Sequence, residues 1–482
     1  MFLFTKSSKK NNNILIIYRS STFLQFLSVC ILCVLLLLAP LPEGLDEKGR
    51  NTLVLVLFAV ILWAKELLPP PLTALLLMTL FPLFNVLTYQ ESITGLGHSS
   101  IWLLIGVFII ACAMQETGLD QRIALHLLKL AKGNARITLL LIIVTTTLFI
   151  FLIPTASGRV AIMVPICLGM VKAMQLEPGS NIGKFVFISI SFSSFIGSIG
   201  LMTGAISMVY AAGIFESLLN YSWSYLSWLK ALMPSIILIN FFIWLLFLKL
   251  FPPEIDTVPG GLDFINSKLI TLDKISKNEI KIFLLIILMI TFWILEDYIH
   301  LSVSQTCLFI AVLTMLPGIE IITWKKALAS IDWGVILLLG TSIAIVQALT
   351  SSNAIEWISH TIFYYLQGLN PLFLGVMTML LMGVIRFGFP NLLSMVATTM
   401  PMIITLAFSL KINPVWFGLI GISSSVLGVF LPTQSVAHLT SYNTGYYSIK
   451  DMLRAGFYTS LIIIIVTTVL ANYYWPLLGI SP

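Results

Sequence analysis

The chain is a succession of apolar runs separated by short polar breaks, and four of those runs are interrupted in their middles. Uninterrupted runs lie at about 22–40, 52–67, 72–88, 100–117, 229–249, 281–296, 302–317, 333–350 and 456–476. Roughly 20 apolar residues cross the hydrocarbon of a bilayer as a helix, so each run predicts a spanning helix. Between the second and third, Pro69-Pro70-Pro71 ends one helix and starts the next. The stretch Gly118 to Lys129 is amphipathic and predicts a helix lying along the membrane surface, and the segment from Asn353 to Tyr365 is its counterpart.

The interrupted runs come in two pairs. The first of each pair contains a proline-marked tip: Pro154-Thr155-Ala156-Ser157-Gly158-Arg159 upstream and Arg386-Phe-Gly388-Phe-Pro390-Asn391 downstream. The spacing from Pro154 to Pro165 equals that from Pro390 to Pro401. Arms at about 137–153 and 159–174 are each too short to cross, which predicts a re-entrant hairpin at 137–174; a second falls at 371–409. The second of each pair is glycine- and hydroxyl-rich at its centre. Ser193, Ser194, Gly197, Ser198, Gly200, Thr203 and Gly204 lie in 184–213, and Ser423 to Ser425, Gly428 and Pro432-Thr433-Gln434-Ser435 lie in 413–445. Each predicts a broken helix, which lipid tolerates only where protein or a water-filled cavity meets it. Interrupted segments at matching places in two halves are a sequence pointer to a transporter's binding site.

The expected fold class is therefore an all-α polytopic membrane protein. It has about eleven transmembrane helices, two opposed re-entrant hairpins and two broken helices in inverted repeats. Residues 1–51 form an N-terminal cytoplasmic segment and first helix, 52–250 the first repeat, 251–280 a polar cytoplasmic linker, and 281–482 the second repeat with the last helix.

Composition agrees. The chain is 58% hydrophobic and only 10% charged, with a mean hydropathy of +1.02, whereas soluble proteins carry about 25% charged residues. The excess of 26 Lys and Arg over 20 Asp and Glu reports topology, not nucleic-acid binding. The first apolar run is too long for a signal peptide, so it reads as a retained helix with Lys6, Lys9, Lys10 and Arg19 on the cytoplasmic side. With the N-terminus inside and the C-terminus outside, twenty basic residues fall cytoplasmic, four outside, and Arg159 and Arg386 within the membrane. An ordinary helix in place of either hairpin would invert everything after it and spoil this split. The five cysteines all lie in apolar runs without metal-ligand company. No nucleotide loop, metal cluster or catalytic nucleophile motif is visible, so neither a cofactor nor an enzymatic activity is expected.

An arginine deep in a membrane costs from about 2.5 kcal/mol upward and usually faces a cavity or a partner. Glu66, Glu116 and Asp332 stand only near predicted helix ends, so Arg159 has no deep carboxylate beside it. That suggests an anion that comes and goes, and a guanidinium's planar fork suits carboxylate or sulfate. The helix starting after the tip adds its positive end and free N–H groups. The competing reading is that Arg159 caps carbonyls of the first arm. Arg386 is open between a second anion contact and the same carbonyl-capping role. His438, a lone histidine near a helix end, reads as structural.

Several stretches resemble the divalent anion/sodium symporter family: Trp63…Glu66…Pro69…Thr73-Ala-Leu, Ala113-Met-Gln-Glu-Thr117-Gly-Leu-Asp-Gln-Arg122, and Gly445-Tyr-Tyr-Ser-Ile-Lys450-Asp451. The resemblance runs from about Leu53 to Phe457. It implies a scaffold plus a transport domain holding the hairpins, usually in a homodimer, and an elevator-like movement. It also implies substrate contacts at Thr155, Ser157, Gly158, Arg159, Asn391, Ser394, Thr433, Gln434 and Ser435. Sodium, the implied coupling ion, would be held among Thr155, Ser157, Ser198, Gly200, Asn391 and Thr433. The family's Ser-Asn-Thr tips are altered here to Thr155-Ala156-Ser157 and Asn391-Leu392-Leu393.

The expected function is a secondary active transporter of small di- or multivalent anions, of the dicarboxylate or citrate class, in the cell membrane. Sodium-independent exchange and sulfate carriage stay open. A cation/proton antiporter should show a deep acidic residue, which is absent. A membrane enzyme should show a catalytic cluster, also absent, and a non-transporting sensor would bind without flux.

Overall fold

The computed structural model describes residues 8–65, 67–257, 259–272, 274–354, 357, 368–389 and 392–482. Among them the chain is all helical, its only strand-like pairing an isolated bridge between Asn134 and Thr257. Eight helices are long and apolar enough to cross a membrane, which bears out a polytopic membrane protein.

The chain divides into two compact units, Met1–Leu96 with Leu337–Ile362, and Gly97–Ile336 with Phe363–Pro482. The first contains α1 (Ser8–Leu38), α2 (Glu47–Ala64), α3 (Pro70–Leu83) and the short α4 (Tyr89–Thr94). They pack in sequence, each on the next. Asp46 caps α2 by accepting from the Gly49 amide at 2.7 Å, and α3 opens on the prolines, where a missing N–H costs nothing.

The second unit holds α5 (Ser99–Thr117), α6 (Leu119–Lys129), α7 (Ala135–Leu148), α8 (Ala156–Ala173), α9 (Asn181–Gly197) and α10 (Ile206–Leu219). Then come α11 (Tyr225–Leu250), α12 (Pro259–Thr271), α13 (Lys277–Ile294), α14 (Glu296–Ile299), α15 (Val303–Leu313) and α16 (Trp324–Ser330). α17 (Trp333–Ser351) begins in this unit and continues in the first. The chain closes with α18 (Pro371–Ile385), α19 (Leu392–Ser409), α20 (Pro414–Ser425), α21 (Val436–Tyr442) and α22 (Ile449–Val469). α5 and α15 lie tightly together: a Cβ at Gly106 would come within 2.8 Å of the Cys307 sulfur.

Two expectations needed adjustment. The linker 251–280 is not simply a polar connection: α12 occupies 13 of its residues and packs on α6 and α8. Its Phe264 ring sits against Gly169, where any side chain would collide with it. The last helix starts at Ile449, held by a capping box between Ser448 and Asp451, and loosens into a π-turn at Leu470–Tyr474. The surface segment expected at 353–365 lies outside the described residues except for Asn353, Ala354 and Trp357.

Candidate functional site

The first tip is made by sequence chemistry that cannot continue a helix. α7 tightens into a 3-10 turn at Phe149–Phe151, and Pro154 precedes the new helix. Thr155 restarts it as N-cap, its hydroxyl accepting from the Gly158 amide at 3.2 Å. A Cβ at Gly158 would stand 2.7 Å from that hydroxyl and 3.0 Å from Ile153, so the cap requires glycine. Thr155, Ser157 and Gly158 are half-buried.

Arg159 is fully buried, and its guanidinium is bonded entirely to protein. Nη1 donates to the carbonyls of Ile153 at 2.6 Å and Gly204 at 2.9 Å. Nη2 donates to the Ser194 carbonyl at 2.7 Å and the Ser198 hydroxyl at 2.6 Å. Nε donates to the Ser194 hydroxyl at 3.2 Å. A guanidinium has five N–H donors, and all five are used. In this geometry Arg159 ties the tip to the break in the next span, the carbonyl-capping alternative to anion contact.

The second tip repeats the device with different parts. α18 tightens into a 3-10 turn at Arg386–Gly388. Arg386 is also fully buried. Its Nη1 donates to the Phe389 carbonyl at 2.8 Å and its Nη2 to the Gln434 carbonyl at 2.5 Å. Each arginine thus joins a carbonyl of its own tip to a carbonyl inside the neighbouring break. Neither makes an ion pair among the described residues. Gly428 makes room for the second staple: at φ +79° a Cβ there would lie 2.8 Å from the Arg386 Cγ.

The breaks follow where glycines and hydroxyls cluster. Between α9 and α10 a 3-10 turn at Ser198–Gly200 leads into extended backbone at Leu201. Ser194 donates to the Ala156 carbonyl at 2.8 Å, adding a second tie to the tip. Gly200 faces α11, where a Cβ would meet Ile236 at 3.1 Å. Between α20 and α21, Gln434 folds back and accepts from the amides of Phe430 and Leu431, both at 2.9 Å. Ser435 caps α21 through the Ala437 amide, and Thr433 is exposed. Ser394 is buried in the first turn of α19. Asn391 lies outside the described residues.

The half-helices after the breaks are exchanged. α10 packs on α19, the arm following the second tip, and α21 packs on α8, the arm following the first. The Tyr210 hydroxyl donates to the Ala397 carbonyl at 3.3 Å across one of these contacts. Phe195 of α9 lies 5.3 Å from the Arg386 guanidinium carbon, measured to the ring centroid. So the expected residues form two groups, Thr155–Ser157–Gly158–Arg159–Ser198 and Arg386–Gln434, with Phe195 reaching the second from the first broken span. Carbonyl capping was one of the two readings for each arginine, but Phe195 and the acceptors inside the breaks, at Gly204, Ser194 and Gln434, carry no signal in the sequence. An aromatic in an apolar run carries no distinguishing mark, and backbone acceptors leave none in a sequence.

The chemistry of the first tip favours an anion. Among the described residues no side chain accepts from the Ala156 or Ser157 amide, as expected at a helix start, and the hydroxyls of Thr155 and Ser157 stand beside them. From Ala135 to Phe215 the only acidic residue is Glu177, and from Pro371 to Tyr442 there is none. Two buried cations behind the tips therefore go uncompensated by carboxylates on their own segments.

The family model for the sodium:sulfate symporter transmembrane region matches residues 20–481. The chain belongs to this family. Membership makes it a membrane transporter and not an enzyme. It is 28% identical over 511 residues to the sodium-dependent dicarboxylate transporter SdcS of Staphylococcus saprophyticus, covering 100% of this chain and 96% of that one. The protein of the same name from Staphylococcus aureus (strain USA300) is 25% identical, covering 99% and 95%. A Cupriavidus necator "membrane protein" is 26% identical, covering 94% and 92%. Among solved structures, the Alcanivorax borkumensis YdaH transporter superposes with a TM-score of 0.56 at 11% identity, covering 96% of this chain and 100% of that one, a likeness of fold alone.

Proposed function

We propose that this symporter-family chain carries small dianions of the dicarboxylate class, with sodium as the coupling ion. The observation that carries this reading is the pair of tips, each stapled by a buried, carboxylate-free arginine to the break of the next span. Open helix-start amides and the hydroxyls of Thr155 and Ser157 meet the anion directly. Arg159 acts from behind, as fixed positive charge and as the brace that holds the tip. Asn391, Ser394, Thr433, Gln434 and Ser435 supply the contacts of the second tip. Sodium sits with oxygen donors among Thr155, Ser157, Ser198, Gly200, Asn391 and Thr433. The names of the Staphylococcus relatives support both the dicarboxylate and the sodium dependence.

The architecture of this reading has two opposed re-entrant hairpins and two broken helices in inverted repeats, 52–250 and 281–482, separated by the linker 251–280. About eleven spans complete it. The exchanged packing of α10 on α19 and α21 on α8 supports the repeat relation. The N-terminus is cytoplasmic and the C-terminus outside, in the cell membrane. The chain works as a homodimer, and the tips move against a scaffold to alternate access.

The test is uptake of labelled succinate and of labelled sulfate into proteoliposomes, with an inward sodium gradient or with choline in its place. Sodium-driven succinate uptake is expected. Sulfate uptake without succinate uptake would overturn the dicarboxylate assignment, and equal succinate uptake in choline would overturn sodium coupling.

A further inference from the structure

Among the described residues, His438 is a buried titratable side chain near the second tip that the transport reading leaves unused. It stands on α21, directly after the second break, and is fully buried. Neither ring nitrogen has a hydrogen-bond partner. An unsatisfied buried polar atom is costly, and native folds rarely keep one without cause. The ring is wedged between Phe192 at 5.7 Å and Phe195 at 5.0 Å, centroid to centroid. Phe195 is also the ring that bears the Arg386 guanidinium. The imidazole and the guanidinium therefore share one aromatic neighbour.

Two more orphans accompany it. The Arg386 Nε and the Gln434 side-chain amide nitrogen are buried with no partner. Arg386 and Gln434 are already joined, through the Gln434 carbonyl. Both orphans are donors. Donors without acceptors, beside a cation with no ion-pair partner, call for an anionic oxygen.

The surroundings decide what His438 can do when that oxygen arrives. α21 packs on α8, α9 and the turn at Pro432–Gln434. The titratable groups on those elements are Arg159, Cys167 and Lys172 of α8 and Lys184 of α9; Arg386 joins them from the tip. Tyr442 lies on α21 itself, and Tyr446 and Tyr447 follow it, the Tyr447 hydroxyl donating to the His438 carbonyl at 3.4 Å. Lys184 is held by Asp451 at 3.2 Å. None of the groups on the packed elements is a carboxylate. An imidazolium here would face only cations and aromatic rings. A dianion seated on the Arg386 and Gln434 donors reverses that field, and one imidazole nitrogen then gains a reason to take a proton.

We propose that His438 binds one proton when the anion binds, so that anion occupancy at the second tip is linked to a proton. The proton comes from solvent onto an imidazole lone pair, and no covalent bond of the substrate changes. This rests on the anion-transporter reading and adds a proton to it. Linkage is reciprocal: if the anion promotes protonation, acid promotes anion binding by the same factor.

The test is calorimetry of the full-length protein in nanodiscs with fumarate, whose carboxyls stay ionised between about pH 6 and 8, and with sulfate as second probe. Running each titration in buffers of different ionisation enthalpy counts the protons exchanged. The expected result is net uptake approaching one proton per anion at the acid end, with affinity rising as pH falls. His438→Gln should bind with an affinity independent of pH and with no proton uptake. Wild-type binding without proton exchange would overturn the proposal, whatever the variant does. So would full uptake by His438→Gln. If neither probe binds, the transporter reading itself fails and this inference falls with it.

Discussion

Replacing Arg159 by alanine separates two roles that a transport assay alone would confuse. In the structure the side chain makes five hydrogen bonds, three of them to carbonyls of Ile153, Gly204 and Ser194. Bonds from a charged donor contribute about 1.5–3 kcal/mol each in isolation, but burying the cation offsets much of that sum. Arg159→Ala strips that donor from three buried carbonyls at about 1–3 kcal/mol each, and with the relief of the buried charge set against this a net cost of about 3–5 kcal/mol is expected. Much of this cost should be local, since the bonds bridge one tip and one break. At about 1.4 kcal/mol per decade, local opening becomes a hundred- to a few-thousand-fold more frequent. Hydrogen–deuterium exchange on the ligand-free protein reads this directly, at the amides of residues 153–160 and 198–206. Arg159→Lys should fall between, since an ammonium has only three donors and at least two bonds must go. The reasoning is refuted if Arg159→Ala exchanges like wild type without ligand yet loses all protection on adding succinate. That outcome would return the arginine to direct anion contact.

Gly428→Ala forces a side chain into the left-handed region and against Arg386; a cost of about 1–3 kcal/mol is expected, seen as a lowered melting temperature and reduced uptake. Thr155→Val removes the cap of α8 at a cost of about 1 kcal/mol, measured by the same melts, and should raise the KM for the anion more than it lowers the maximal rate. Asp120, on the amphipathic helix α6, is 3% exposed, and burial raises its carboxyl to about 6 from 3.8. The folded state thus holds this proton more tightly than the unfolded one. The group costs stability above about pH 6, and the cost fades as pH falls toward 4. Asp120→Asn should therefore be more stable than wild type at pH 7 by at most about 3 kcal/mol. The advantage should vanish near pH 4 when the two melts are compared.

The positions of the elements were readable because each depends on local chemistry. Pro154 and Pro390 mark where a helix cannot continue, and the Ser-Gly clusters at 193–204 and 423–435 mark where a span opens. The uncompensated arginines were readable too, as charges without carboxylates. Their employment was readable only as one of two alternatives, carbonyl capping beside anion contact. Arg159 bonds to carbonyls 6 and 45 residues away, and a backbone oxygen is the same whatever residue bears it. A lone histidine near a helix end usually is structural, and the sequence around His438 holds nothing against that. Only the packing of α21 on α8 and α9 exposed its missing partners. The helix α12 was hidden for a plainer reason: it is too short and polar to read as a span, and its seat, Phe264 against Gly169, joins positions far apart in the chain.

The exchanged half-helices bear on how the chain is made. α8 finds its partner α21 only when residues 436–442 exist, more than 260 positions later in synthesis. A translating ribosome adds about 5–20 residues per second, so the first tip waits on the order of tens of seconds in the membrane with that face uncovered. During that interval Arg159 can already be stapled, because Ile153, Ser194 and Gly204 are all upstream. The brace then serves as an assembly clamp: it holds the unfinished half in shape until the other half arrives to cover it.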